Sequence, residues 1–280
     1  MDALLLAAGL GTRLQPLTGV LPKCLMPIHG RPLLGLWLEM LKRGGTEKVF
    51  INLHYLAPLV REYVTGSPYN SMVEFLDEPT LCGTAGTLNK FRNRFTSRDM
   101  LLAHADNLTM FDVAAFRQTY EGRPAHAALT MMTFDTDAPE TCGMVTLDTQ
   151  NIVIKFVEKP KESTGTLANG AVYLMRLPEI LKIMDQGQAV TDFSTEVLPH
   201  FIGRMNSFHN DIYHRDIGNI AALSSAQLEI DDLGAAADLI NSVNSYWDGS
   251  ENRQDQYQQF KKLLEKLSVT KPVMSRLLQP

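Results

Sequence analysis

The sequence lacks several features that mark particular classes of protein. Its three cysteines, Cys24, Cys82 and Cys142, are odd in number and far apart, and no CxxC pair occurs. A disulfide framework or a zinc site is therefore not expected, and a reducing cytoplasm suits the chain best. Positive charge is not in excess either, since 26 Lys and Arg stand against 31 Asp and Glu. The net charge of −5 argues against a nucleic-acid partner.

Long apolar runs are also absent. The first run, Ala3 to Ala8, is too short for a signal segment or a membrane span, and no basic residue precedes it. It predicts a buried strand, and no membrane partner is expected. The seven histidines show neither HxxxH nor HExxH spacing, so they do not indicate a zinc enzyme.

Short apolar runs alternate with helical patterns over the first 125 residues. Strands are predicted at 4–8, 49–53, 73–76 and 100–103, and helices at 32–43, 57–64, 84–95 and 112–120. Runs that are apolar on both faces are typical of a parallel sheet covered by helices. Closely spaced strands are predicted next, at 127–133, 144–147, 152–157, 171–175 and 207–213, with a short helix at 192–200.

These patterns predict an α/β fold with a mixed, mostly parallel central sheet. Helical patterns then follow at 221–230, 233–246 and 255–267. We therefore divide the chain into a first domain, residues 1–222, and a short helical C-terminal extension, residues 223–280. The extension is expected either to pack on the first domain or to mediate self-association into a homo-oligomer.

Two glycines, Gly9 and Gly11, follow the first predicted strand, at the edge where open α/β sheets bind ligands. Glycines there allow backbone N–H groups to approach a phosphate. Two common phosphate loops do not fit. Leu14 stands where the GxGxxG pattern of dinucleotide-binding oxidoreductases needs glycine, and no GK pair occurs. Spacing alone leaves two interpretations, a phosphate loop of another kind or a tight turn.

The whole stretch resembles the signature of the sugar-1-phosphate nucleotidyltransferases, or NDP-sugar pyrophosphorylases, which is GxGTRLxPLT followed by PKxxxPI. Here residues 9–18 are GLGTRLQPLT and residues 22–28 are PKCLMPI. The resemblance continues in the family's order through EPTLCGTAGTL (78–88), HADN (104–107), FVEKP (156–160), NGAVY (169–173) and RDIGN (215–219). It covers about residues 1–220 and implies a Rossmann-like three-layer catalytic domain.

The resemblance implies that a sugar 1-phosphate attacks the α-phosphorus of an NTP, giving an NDP-sugar and pyrophosphate. The nucleophile is mostly ionised at pH 7, so positioning and electrostatics are the main tasks. The implied catalytic residues are Arg13 and Lys23, which contact phosphates, and Asp106 and Asp216, which hold Mg²⁺. The alternatives are solvated surface cations, a turn cap at Asp106, and an ion pair between Asp216 and Arg215.

The resemblance also implies the residues that bind the two substrates. The nucleotide is expected at Leu6, Ala8, Gly9, Gly11, Thr12, Glu78, Gly83 and Thr84. The sugar phosphate is expected at Asn107, Gly143, Glu158, Lys159 and Asn169. Two positions depart from the family pattern: His214-Arg215 replaces the usual aromatic context before Asp216, and Cys142 stands where an aromatic residue is common.

Glu78 favours guanine as the base, because one carboxylate can accept from N1–H and N2–H₂ together, whereas uracil or thymine offers only N3–H. GTP with mannose or manno-heptose 1-phosphate is therefore the expected substrate pair. Two alternatives remain. One is a uridylyl- or thymidylyltransferase for glucose or an N-acetylamino sugar, and the other is a non-catalytic regulatory subunit that binds nucleotide sugars. The chain retains both implied metal carboxylates and the phosphate cations, which favours an active enzyme.

Overall fold

The computed structural model describes residues 1–162, 165–186, 190–248, 251–267 and 271–279. Its strands, numbered in chain order, are β1 Asp2–Leu6, β2 Pro27–Ile28, β3 Arg31–Pro32, β4 Lys48–Leu53, β5 Val73–Asp77, β6 Asp99–His104, β7 Asn107–Met110, β8 Leu129–Asp135, β9 Gly143–Leu147, β10 Val153–Glu158, β11 Leu167–Arg176, β12 Met205–His209 and β13 Tyr213–Asp216. Its α-helices are α1 Leu33–Arg43, α2 Ala57–Thr65, α3 Thr84–Lys90, α4 Val113–Glu121, α5 Leu177–Met184, α6 Ile220–Glu229, α7 Gly234–Ser242, α8 Glu251–Lys266 and α9 Lys271–Met274.

The central sheet joins nine strands of the described chain. Seven strands follow the order β10-β9-β11-β6-β1-β4-β5, while β8 pairs with β11 and β12 pairs with β8. Seven of these nine described strands run in one direction, and β10 and β11 run against them. The sheet is therefore mixed and mostly parallel, and the predicted α/β fold class is confirmed.

Two apolar layers cover the two faces of the sheet, which makes the fold three-layered. In β1, Ala3 and Leu5 pack in the layer that contains α1, α2 and α4, whereas Leu4 and Leu6 pack in the layer that contains α3 and α5. Successive side chains of a strand point to opposite faces. A strand covered on both sides must therefore be apolar at every position, as this first run of the sequence is.

Local sequence signals account for several element boundaries. Asp112 caps α4, with its Oδ1 accepting hydrogen bonds from the N–H groups of Ala114 and Ala115 at 2.8 and 3.0 Å. The strand predicted at 207–213 is instead two strands, β12 and β13. The chain turns between them because Asn210 Oδ1 accepts a hydrogen bond from the Ile212 N–H at 3.1 Å. The predicted helix 84–95 ends at Lys90, and α5 was not predicted.

The C-terminal extension packs on the same apolar layer as α1. Its buried apolar residues in that layer are Leu223, Ala226, Ile230, Leu239, Ile240, Val243, Tyr246, Phe260, Leu264, Met274 and Leu277. Gly30 lies directly against it, since a Cβ there would stand 1.8 Å from the carbonyl oxygen of Gln279. The predicted boundary at residue 222 falls inside α6. Residues 249–250, 268–270 and 280 of the extension lie outside the described residues.

The helices of the described chain are all too short or too polar to cross a bilayer.

The three thiols differ in accessibility, which gives a test of the packing. Cys24 is 1% exposed, and burial, reinforced by the nearby charge of Asp106, raises the pKa of its thiol to about 12. Cys82 and Cys142 are partly exposed, and all three are free. We expect two thiols to react with Ellman's reagent in the native protein and the third only after denaturation. Rapid reaction of all three thiols would contradict the burial of Cys24.

Candidate active site

Two carboxylates that lie far apart in the chain meet at the carboxyl end of β6. Asp106 lies in the turn between β6 and β7, and Asp216 is the last residue of β13. Strands β7 and β13 form a separate antiparallel ribbon in which Asp216 stands opposite Asn107. This register places Asp216 beside Asp106, at the sheet edge where ligands bind in α/β folds.

The ammonium group of Lys23 lies between the two carboxylates. Its Nζ is 3.0 Å from Asp106 Oδ2 and 2.8 Å from Asp216 Oδ1. Lys23 is only 7% exposed, so both ion pairs are shielded from water on the lysine side. Arg13 approaches the same group, with Nη2 3.6 Å from Asp216 Oδ2. The structure thus brings together all four residues that were predicted to be catalytic.

The cations outweigh burial at Asp216. Burial by itself raises the pKa of this carboxyl, but its attraction and hydrogen bond to Lys23, together with Arg13, lower the pKa below its ordinary value. Asp216 is therefore ionised at neutral pH. The alternative ion pair with Arg215 is not formed, because Arg215 donates from Nε and Nη2 to the carboxylate of Glu229 at 2.7 and 2.6 Å.

His214 takes the place expected for an aromatic residue before the second aspartate. Its ring lies 4.2 Å from the ring of Phe134, centroid to centroid, and its Nδ1 is 2.7 Å from the hydroxyl of Thr109. Burial is the main reason that the pKa of His214 is lowered to about 4; Asp216 acts to raise the pKa and His104 to lower it. The imidazole is thus neutral at pH 7 and packs as an aromatic ring.

The glycine loop is held by contacts of Gly11, Thr18 and Tyr55 that the sequence pattern did not predict. Gly11 has φ +61°, and a Cβ there would lie 2.8 Å from Cγ2 of Thr18. The Thr18 hydroxyl donates to the Gly11 carbonyl at 2.9 Å, and the Tyr55 hydroxyl donates to the Thr18 carbonyl at 2.9 Å. Only glycine adopts this conformation readily. The Cβ position of Gly11 also lies 3.4 Å from Cβ of Lys23, so the turn packs directly against this lysine.

Gly218 fits closely against the charged group and was also missed. A Cβ at this position would lie 2.8 Å from Arg13 Nη2 and 2.8 Å from Asp216 Oδ2. Either the arginine or the carboxylate would have to move to accommodate it. Gly9 differs, because no described atom lies within 4 Å of the position that its Cβ would take. The space above the first glycine of the loop is therefore open.

Glu78, which was expected to contact the base, lies among donor groups of the protein itself. Glu78 is 3% exposed. Its Oε1 accepts from Asn52 Nδ2 at 3.1 Å and from the Thr87 hydroxyl at 2.5 Å, and its Oε2 accepts from the Cys82 N–H at 3.1 Å. Both oxygens are thus engaged within the protein, and a contact with the base would require some of these hydrogen bonds to be replaced.

Gly83 and Thr84, also expected at the nucleotide, adjoin the segment around residue 192. Gly83 has φ +79°, and its Cβ would stand 2.4 Å from the carbonyl oxygen of Thr191. The Thr84 hydroxyl accepts a hydrogen bond from the Phe193 N–H at 2.7 Å. Leu6 and Ala8 are buried, whereas Gly9 and Thr12 are exposed. The exposed backbone of the loop is therefore the part that is open to a nucleotide.

Three residues expected at the sugar phosphate lie together where β9 begins and β10 ends. Glu158 pairs with Gly143, whose Cβ would stand 2.8 Å from Glu158 Oε2. The Lys159 side chain is 62% exposed, with Nζ 3.7 Å from Glu158 Oε1. Its backbone N–H donates to the Cys142 carbonyl at 3.0 Å. An exposed ammonium and a carboxylate thus stand at one open strand end.

Asn169 and Asn107 have defined partners. Asn169 Nδ2 donates to the buried Tyr173 hydroxyl at 2.7 Å, and its Oδ1 accepts from the Ala171 N–H at 3.0 Å. These bonds fix the Asn169 side chain. The carbonyl of Asn107 accepts a hydrogen bond from the Trp37 indole at 2.9 Å, which ties the residue after Asp106 to α1.

The carboxylates of Asp106 and Asp216 fit Mg²⁺ as a donor set. Both present oxygens to the one position where Lys23 Nζ lies. Mg²⁺ in phosphate-handling sites takes one or two protein carboxylates and completes its shell with water and substrate phosphates. No group of three or more His, Cys, Asp or Glu arranged to hold a metal occurs within the described residues.

Comparisons with known proteins identify relatives of this chain. A UTP–glucose-1-phosphate uridylyltransferase from Synechocystis sp. is 26% identical over 237 residues, covering 79% of this chain and 61% of that protein. Mannose-1-phosphate guanyltransferase 2 from Candida glabrata is 27% identical over 227 residues, with 78% and 61% covered. The chain spans about three fifths of the length of these curated relatives.

A solved structure and a family model extend the comparison. The structure of HddC from Yersinia pseudotuberculosis complexed with GMP-PN is 26% identical, with a TM-score of 0.68, and the match covers 82% of this chain and 99% of that one. Residues 2–232 match the family model described as nucleotidyl transferase. Since this match takes in the sheet and all four clustered side chains, the chain belongs to the nucleotidyl transferase family.

Proposed function

We propose that this chain transfers a nucleotidyl group from an NTP to a sugar 1-phosphate and releases pyrophosphate. The observation that carries the proposal is the cluster of Lys23 and Arg13 with Asp106 and Asp216 beside an open glycine loop. Such a cluster offers two cations to phosphates and two carboxylates to a metal. Family membership and relatives named as uridylyl- and guanyltransferases support the reaction class.

The chemistry requires little from the protein beyond charge and position. An oxygen of the sugar phosphate forms a bond to the α-phosphorus, and the bond from that phosphorus to the bridging oxygen breaks, so that pyrophosphate leaves. Because the nucleophile is already ionised near pH 7, no protein base is needed. Lys23 is proposed to bind the α-phosphate as charge develops there, and the exposed Arg13 to bind the outer phosphates.

Mg²⁺ is the proposed cofactor, held by Asp106 and Asp216, and when bound it supplies charge neutralisation between the phosphates. Lys23, which pairs with both carboxylates in this structure, would then be available to a phosphate oxygen. Lys159 and Glu158 are proposed to bind the sugar phosphate and a sugar hydroxyl, with Asn169 beside them. The free thiols agree with the proposed cytoplasmic location.

GTP with mannose or manno-heptose 1-phosphate is the proposed substrate pair. With Glu78 buried, the support for guanine comes from the guanyltransferase relative and from the neighbouring structure that holds GMP-PN. The uridylyltransferase relative supports UTP with glucose 1-phosphate as the second candidate.

A matrix of NTPs against sugar 1-phosphates, read by pyrophosphate release, tests this proposal. We expect the highest kcat/KM for GTP with a manno-configured sugar 1-phosphate, and loss of turnover in Asp106→Asn. Preference for UTP or dTTP with glucose 1-phosphate would favour the second candidate. Release that persists unchanged in Asp106→Asn, or no release with any pair, would overturn the proposed function.

Gly218 allows a matched test of the charged cluster. Gly218→Ala places a methyl group 2.8 Å from both Arg13 Nη2 and Asp216 Oδ2, so we expect the pair to separate and kcat/KM to fall about 10-fold or more, a loss of about 1.4 kcal/mol. The control is Gly234→Ala, because no described atom lies within 4 Å of the Cβ position there. Equal activity of the two variants would show that the Arg13–Asp216 arrangement does not matter.

A further inference from the structure

Asn52 connects the glycine loop to the segment that follows β5. It is the last residue but one of β4 and pairs with Leu6 at the end of β1. Its Oδ1 accepts a hydrogen bond from the N–H of Ala7, the first residue after β1, at 2.7 Å. Its Nδ2 donates to Glu78 Oε1 at 3.1 Å and to the Thr87 hydroxyl oxygen at 3.2 Å. One buried amide thus contacts the start of the loop and the carboxylate beyond β5.

Glu78 continues this connection on the other side. Its Oε2 accepts from the backbone N–H of Cys82 at 3.1 Å, which closes residues 78–82 into a turn. Thr87, in α3, donates its hydroxyl to Glu78 Oε1 at 2.5 Å. Asn52, Glu78 and Thr87 are all almost fully buried. The donors to the Glu78 oxygens are the Asn52 amide, the Cys82 N–H and the Thr87 hydroxyl, and all three are neutral groups of the protein itself.

A buried carboxylate of this kind is costly unless its hydrogen bonds are complete. The same burial makes each bond hard to lose, because a donor left without an acceptor keeps its full desolvation cost. The loop that faces the phosphates and residues 78–84 are therefore held at a fixed separation by two side chains, Asn52 and Glu78, neither of which reaches the surface.

We propose that Asn52 and Glu78 are positioning residues that hold the segment 78–84 in register with the glycine loop, so that a base and its phosphates are bound together. Glu78 acts through Cys82 and Asn52 rather than by contact with the base. This inference rests on the proposed function, because the inference takes the base of the NTP to bind at the segment 78–84, as the family resemblance implies. The consequence is that Glu78 supports binding of every NTP equally and does not select guanine.

The hydrogen bond between Asn52 and Glu78 can be tested by exchanging its donor and its acceptor. In Glu78→Gln, the new amide N–H must face either Asn52 Nδ2 or the Cys82 N–H, and both are donors. In Asn52→Asp, a second carboxylate oxygen faces Glu78 Oε1. The double variant Asn52→Asp/Glu78→Gln keeps one negative charge and restores the bond with donor and acceptor exchanged. The carboxylate introduced at position 52 also remains an acceptor for the Ala7 N–H.

The experiment is calorimetric binding of GTP and UTP, each with Mg²⁺ and without sugar phosphate, to the wild-type chain and these three variants. We expect each single variant to weaken both nucleotides about 10-fold or more, with their affinity ratio kept within about twofold, and the double variant to recover most of the loss. The KM for the sugar 1-phosphate should stay within about twofold. Asp77→Asn is the matched control, because Asp77 adjoins Glu78 in sequence but is 64% exposed and pairs with Arg61.

Several results would overturn the proposal. A change in the GTP-to-UTP ratio in Glu78→Gln would mean that Glu78 contacts the base. Failure of the double variant to recover affinity would mean that the bond between residues 52 and 78 is not what matters. Should Glu78→Gln not fold, Thr87→Val, which removes a single hydroxyl, carries the test. It should weaken both nucleotides alike, and unchanged binding in it would contradict the proposal.

The outcome is distinguishable from failure of the proposed function. A wild-type chain that binds nucleotides but turns over no sugar 1-phosphate would refute the transfer reaction while the binding data still decide the role of Asn52 and Glu78. A wild-type chain that binds neither nucleotide would refute both.

Discussion

The candidate active site depends on one interaction, the ammonium group of Lys23 bound by the carboxylates of Asp106 and Asp216. Lys23 is almost buried, so its charge needs the full complement of Asp106 and Asp216 that surrounds it. In the proposed reaction, Asp106 and Asp216 would hold a divalent cation and Lys23 would bind phosphate oxygens instead. With Arg13 included, two cations stand against two carboxylates in this cluster.

The rest of the fold holds these charged groups in place. The β7–β13 ribbon carries Asp216 to Asp106, and α1 supports that ribbon through the Trp37 indole bonded to the Asn107 carbonyl. The extension packs on α1 from the other side, where a Cβ on Gly35 would stand 2.8 Å from Val243. A continuous body of packed side chains therefore runs from the C-terminal helices to the residue beside Asp106.

Local pattern predicted the central strands and the start of α4, because strands covered on both faces are apolar throughout and Asp112 caps that helix. It missed α5 and merged β12 with β13. It did not predict that Asp216 meets Asp106, since that depends on pairing between two short, distant strands; motif resemblance supplied the expectation. Glu78 shows the reverse. Its motif position suggested a base contact, but burial against Asn52 and Thr87 is a tertiary property that no local pattern carries. Gly218 was missed for the same reason.

A crystal structure of the chain with Mg²⁺ and a GTP analogue that resists cleavage at the α-phosphate tests the role of this charged cluster most directly. We expect a cation bound to both Asp106 and Asp216 and to the nucleotide phosphates, with Lys23 Nζ on a phosphate oxygen. A bound nucleotide with Lys23 still between the two aspartates, and with the metal held elsewhere, would contradict it.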